Sequence, residues 1–184
     1  MDNIEWPPNR DVITRSVNEA LTSDNWWIYR GETVSELERR FAEEHNCAHG
    51  VSVANGTIGL DVILRALGIG PGDEVVLPAY DFYSLPKSVL NVGAKPIFVD
   101  VCPLNPTLEV EQISAVLSAQ VKAVVAVHIS GAVAQIDQIS ALCRDTGVYL
   151  IEDCAQATGA VYADKHVGSW GDAAVFSFGG VKEP

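Results

Sequence analysis

Cationic side chains are scarce in this sequence: 12 Lys and Arg stand against 24 Asp and Glu in 184 residues, a formal charge of −12. A nucleic-acid backbone is held by clustered cations, and those present are scattered, with Arg39-Arg40 the one adjacent pair and acids close by. The charge therefore argues against nucleic-acid binding, and an anionic membrane surface is disfavoured for the same reason. Long apolar runs are missing as well. No stretch approaches the roughly 20 residues that cross a bilayer, and Met1 to Pro8 lacks the basic region and apolar stretch of a secretion signal, which points to the cytoplasm. The four cysteines, Cys47, Cys102, Cys143 and Cys154, show neither CxxC nor metal-like spacing. Buried reduced thiols are expected in place of disulfides or zinc. His45, His49, His128 and His166 share no ligand spacing either, so no metal is expected, and the sequence assigns His128 no role. Neither a GxGxxG nor a Walker sequence occurs, which leaves the usual dinucleotide and triphosphate sites without support.

What is present is a core. The chain is 48% hydrophobic with mean hydropathy +0.15, the composition of a packed domain. From Val51 onward, short β-rich runs alternate with amphipathic segments. The runs are Val51 to Ala54, Glu74 to Leu77, Pro96 to Asp100, Val121 to Val127, Val148 to Ile151 and Ala173 to Phe178. Several are apolar on consecutive residues, as in strands covered on both faces. Between them, Thr33-x-x-Glu36 reads as a capping box ahead of the face Val34, Leu37 and Phe41. Ile136, Ile139, Leu142 and Cys143 form a second face that stops at Gly147. The prediction is an α/β fold, a mostly parallel sheet flanked by helices.

Ligands of such sheets bind beyond the carboxyl ends of the strands, so the residues following each run carry the functional signal. Asn55-Gly56-Thr57 opens a helix and presents free N–H groups to a phosphate, or simply caps the helix. Asp153 ends a buried run and needs a cation or strong donor: a protonated ring nitrogen, a structural ion pair or a helix cap. Gln156 reaches the same ligand or faces water. Pro78 to Tyr83 supplies aromatics that stack on a flat ring or pack in the core. Lys182 follows an apolar strand and Gly179-Gly180, where partial desolvation frees its amine as a nucleophile, unless it is solvated surface. Together these are the parts needed to hold pyridoxal phosphate.

The ordered set Asn55-Gly56-Thr57, Gly68 to Val75, Pro78-Ala79-Tyr80, Glu152 to Ala157, Gly168 to Asp172 and Phe176 to Lys182 resembles the DegT/DnrJ/StrS aminotransferases. These are fold-type I pyridoxal-phosphate enzymes acting mostly on keto sugars. The resemblance implies that Lys182 forms the internal aldimine and moves protons between Cα and C4′. It also implies that Asp153 pairs with the pyridinium nitrogen, Gln156 contacts the ring 3-oxygen, Phe82 stacks on the ring, and Gly56, Thr57 and Ser177 hold the phosphate. The lysine places the sequence with aminotransferases and apart from related dehydratases, which carry histidine there. Gly179-Gly180, in place of a common His-Pro, resembles members acting on cyclitols. The implied reaction transfers an amino group from glutamate or glutamine to a keto sugar or cyclitol, in a homodimer whose partner lends contacts.

The resemblance covers the N-terminal half of such proteins. It implies residues 1–32 as an N-terminal arm with a short helix and 33–184 as a truncated cofactor-binding large domain, the C-terminal small domain being absent. In the family the last large-sheet strand lies between the first and sixth runs, so the Val51 to Ala54 run is expected to lack a neighbour. Two readings stand: an aminotransferase, or an inactive remnant or fragment that associates with a full-length relative.

Overall fold

The structure is a computed structural model and describes residues 9–23, 25–27, 29 and 31–179. It divides into two units, Met1–Ser52 and Val53–Pro184. In the first unit, α1 spans Arg10–Thr22 and buries no residue, and α2 spans Thr33–Glu44. The predicted capping box does not form. Thr33 is the first helical residue and Glu32 holds the cap position without a side-chain bond. Glu36 turns instead to Arg39 and Arg40. Two charge-assisted partners outcompete one backbone N–H for the same carboxylate, and they draw its pKa down to about 2. Of the predicted face, Val34 and Phe41 are half-buried while Leu37 is exposed.

The second unit runs α3 (Gly56–Ala66), β1 (Glu74–Pro78), α4 (Ser84–Asn91), β2 (Lys95–Val99), α5 (Val110–Val116), β3 (Val121–Val127), a 3-10 turn (Ile129–Gly131), α6 (Ile136–Thr146), β4 (Tyr149–Asp153), β5 (Val161–Tyr162), β6 (Lys165–His166) and β7 (Ala173–Val175). β5 and β6 form a small antiparallel pair. The other five strands form one sheet in the order β2-β1-β3-β4-β7. Every ladder in that sheet is parallel, as the consecutive apolar runs predicted. Two runs depart from expectation, the sixth being a strand only over Ala173–Val175. Val51 to Ala54 forms no strand among the described residues, because β-prone residues become a strand only where a neighbour supplies ladder partners.

Alternation along each strand sends side chains to opposite faces. On one face Ala123, Val125, Val127 and Ile151 pack with Leu60 and Leu64 of α3 and Leu85 and Val89 of α4. On the other, Val124, Ala126 and Leu150 pack with Ile113 of α5 and Ile136, Ile139 and Cys143 of α6. Helix α6 ends as predicted at Gly147, whose φ of 69° is the left-handed conformation glycine adopts without strain. The cysteines are only in part the buried thiols expected: Cys143 and Cys154 are buried, Cys102 is intermediate and Cys47 is exposed. Burial, helped by Asp172, pushes the Cys143 thiol up to about 12.

Candidate functional site

Parallel strands bring their carboxyl ends to one edge, and most of the predicted residues follow those ends. Phe82 follows β1, Gln156 follows β4 and Ser177 follows β7, while Asp153 is the last residue of β4. The register sets Asp153 beside Val127 of β3 and Val175 of β7. The amino end of α3 meets the same edge: a Cβ built on Gly56 would lie 3.6 Å from the Phe176 carbonyl oxygen and 3.8 Å from Ser177 Cβ. Gly59, one turn along, lies so close to β7 that a Cβ there would sit 2.9 Å from Val175 Cγ2. Small residues thus seat this helix start against β7.

At that helix start the Asn55 side chain accepts the Ile58 N–H at 3.0 Å, and the Asn55 carbonyl accepts the Gly59 N–H at 3.0 Å. Among the described residues, the N–H groups of Gly56 and Thr57 make no hydrogen bond. Two amides at the positive end of a helix, beside the half-buried Ser177, fit a phosphate. Asp153 is half-buried, and its Oδ1 accepts the Ala155 N–H at 2.9 Å, which fixes the carboxylate at the strand end. Gln156 Oε1 accepts the Ser130 N–H at 2.8 Å across the edge. Phe82, four residues beyond the end of β1, is 53% exposed, with its ring centroid 4.5 Å from that of Tyr83. The edge thus brings together backbone N–H donors, a hydroxyl, a carboxylate and a carboxamide. Lys182 lies outside the described residues.

The residue that the sequence reading passed over is Glu152. Its side chain points to the face opposite Asp153 and is fully buried. Oε1 accepts the N–H groups of Trp170 and Gly171 at 2.7 and 2.8 Å. Oε2 accepts the Gly168 N–H at 2.8 Å and faces His128 Nε2 at 3.2 Å. The other His128 nitrogen, Nδ1, accepts the Ala134 N–H at 3.2 Å, which puts the ring proton on Nε2 as a donor to Glu152. Burial pushes the Glu152 carboxyl up, but the bonds from His128 and the three backbone amides outweigh it and hold the group below the ordinary carboxylate value. At Gly171 a side chain is excluded, since a Cβ would sit 2.5 Å from the Leu150 carbonyl oxygen.

Ligand atoms of His128, Glu152 and Cys154 come within 4.8 Å of one another. A cation there would have to displace the donors already aimed at Glu152 and the amide bonded to His128, so this cluster reads as a structural pin. One signal for it was present in the sequence. Adjacent acids at a strand end cannot face the same way, and the inward one needs donors such as the glycine-bracketed Gly168 to Gly171 turn.

The chain as a whole is similar to known proteins. The model of the DegT/DnrJ/EryC1/StrS aminotransferase family matches residues 9–183. The L-glutamine:2-deoxy-scyllo-inosose aminotransferase of Streptomyces lividus is 40% identical over 177 residues, covering 94% of this chain and 42% of that protein. The structure of the aminotransferase from Psychrobacter cryohalolentis superposes with a TM-score of 0.89 at 38% identity, over 95% of this chain and 44% of the other. The PLP form of Spr1654, a proposed sugar aminotransferase of Streptococcus pneumoniae, matches with a TM-score of 0.82 at 27% identity, over 92% and 46% of the two chains. The chain therefore spans less than half the length of these proteins.

Proposed function

Because the chain belongs to the DegT/DnrJ/EryC1/StrS aminotransferase family, we propose that residues 33–184 form the cofactor-binding part of a pyridoxal 5′-phosphate-dependent aminotransferase. Its fold is the large-domain fold of type I pyridoxal-phosphate enzymes. The reaction moves an amino group from glutamate or glutamine to a keto sugar or cyclitol within a homodimer. The observation that carries this reading is the gathering of Gly56, Ser177, Asp153 and Gln156 at one strand edge. The relative named for L-glutamine and a cyclitol, and the one named for sugars, support the substrate class.

Bound pyridoxal phosphate supplies an electron sink for the amino acid Cα. The residues of the chain do the rest. Gly56 and Thr57 donate N–H groups, and Ser177 a hydroxyl, to the phosphate. Asp153 holds a proton on the ring nitrogen, Gln156 contacts the ring 3-oxygen and Phe82 shields a ring face from water. Lys182 holds the cofactor covalently and carries the proton between Cα and C4′. The net charge of −12 and the free cysteines support a cytoplasmic setting and small-molecule partners in preference to nucleic acid or membranes. Among the described residues no helix is long and apolar enough to cross a membrane.

A single-turnover experiment tests this. The 184-residue chain loaded with pyridoxal phosphate should show a visible band that bleaches when glutamine or glutamate is added, releasing the matching 2-oxo acid in equal amount. A band that bleaches with neither donor removes the proposed chemistry, and the absence of a band removes the cofactor as well.

A further inference from the structure

Ser130 is a non-glycine residue in the left-handed region, with φ 52° and ψ 32°. An exposed serine gains nothing from that conformation by itself, and such strain persists where the surroundings impose it. Here they do. The loop leaving β3 is tied at its start by the His128 N–H to the Asp153 carbonyl at 3.0 Å, and at its end by the Ala134 N–H to His128 Nδ1 at 3.2 Å. Between these ties the left-handed turn aims the Ser130 N–H at Gln156, and the Ser130 hydroxyl lies 3.4 Å from the same oxygen.

A main-chain N–H can only donate, so the Gln156 atom it meets must be Oε1 and the amide orientation is settled by chemistry. Among the described residues Gln156 Nε2 makes no hydrogen bond. We propose that Ser130 is a positioning residue: its left-handed main chain pins Gln156 Oε1 so that the Nε2 hydrogens face an anionic oxygen of the ligand. The inference rests on the cofactor reading above and adds the device that makes Gln156 a donor. Without the Ser130 bond the amide could present either end, and an acceptor facing an anionic oxygen would repel it.

The probes are pyridoxamine 5′-phosphate and its 3-deoxy analogue, which lacks the oxygen, with both affinities measured by fluorescence titration. One charge-assisted hydrogen bond predicts that the native chain prefers the oxygen-bearing compound about tenfold or more. Ser130→Gly keeps the N–H and enters the left-handed region freely, so the preference should stay within about twofold. Ser130→Val resists that region because of its branched Cβ, and the preference should fall towards one. Gln156→Glu keeps an oxygen for Ser130 but replaces the donor, so the preference should vanish or invert.

A purely structural role would lower both affinities together and leave their ratio unchanged in Ser130→Val, which overturns the proposal. Equal binding of the two compounds by the native chain also overturns it and leaves the cofactor reading standing. Binding of neither compound defeats the cofactor reading, and the proposal falls with it.

Discussion

Glu152→Gln should lower the stability of the folded chain by about 3 kcal/mol near neutral pH. The substitution preserves shape but turns one acceptor into an NH2 group facing backbone donors. In the native chain the carboxylate collects N–H groups from Gly168, Trp170 and Gly171 and faces His128 Nε2. Glutamine keeps one oxygen for this set, so at least one buried N–H is left opposed by another donor. For a domain of this size such a loss corresponds to a fall in melting temperature of roughly 6–12 °C.

The effect has a defined pH dependence. The carboxyl lies below its ordinary value of 4.5 in the folded chain. Its contribution is therefore complete above that value and is lost as pH falls through the lower folded value. The gap between native and Glu152→Gln chains in urea unfolding should be widest near neutrality and narrow below pH 4.5. A gap under about 1 kcal/mol, or one unchanged across that range, contradicts the role given to this side chain.

Asp153→Asn should slow amino transfer by about 10²–10³-fold while leaving the fold intact. Asparagine retains an oxygen for the Ala155 N–H that Asp153 Oδ1 accepts at 2.9 Å, so the local turn has no reason to change. On the proposed reading, what disappears is the negative charge that would keep a proton on the ring nitrogen, and with it most of the ring's capacity to accept electrons from Cα. Stopped-flow bleaching with glutamine or glutamate measures the rate. Thermal unfolding within about 1 kcal/mol of the native chain establishes that the loss is chemical. Native rates in a folded Asp153→Asn chain contradict the assignment.

These two neighbours explain why one half of the site was legible in the sequence and the other was not. Asp153 was readable because a carboxylate ending an apolar run advertises an unmet need, and the parallel-strand rule places that need at the ligand edge. Gly56 and Thr57 were readable as small and hydroxylated residues at a helix start, and Gln156 as a polar residue three places after Asp153, whereas Ser177 lay inside a predicted run and its phosphate role came only from the family resemblance. Glu152 was legible only as one of two adjacent acids that cannot face the same way; its partners were not, because they lie 16 to 19 residues onward and 24 residues back, a separation no local pattern reports.

The Thr33 box failed for a related reason: the motif records which residues could meet, but Arg39 and Arg40 offered Glu36 a stronger bond. The Val51 run carried strand propensity without a ladder partner among the described residues, and propensity alone does not make a strand. Ser130 carried no sequence signal, since its left-handed turn is imposed by ties to His128, Ala134 and Gln156.

Cofactor chemistry at this edge requires that one lysine bind the cofactor covalently. Borohydride reduction of the chain after incubation with pyridoxal phosphate, followed by proteolysis and peptide mass mapping, addresses that directly. The prediction is a single reduced pyridoxyl group, on Lys182, which disappears when Lys182→Ala is treated in the same way. Label spread over Lys87, Lys95, Lys122 and Lys165, or label undiminished in Lys182→Ala, would contradict it.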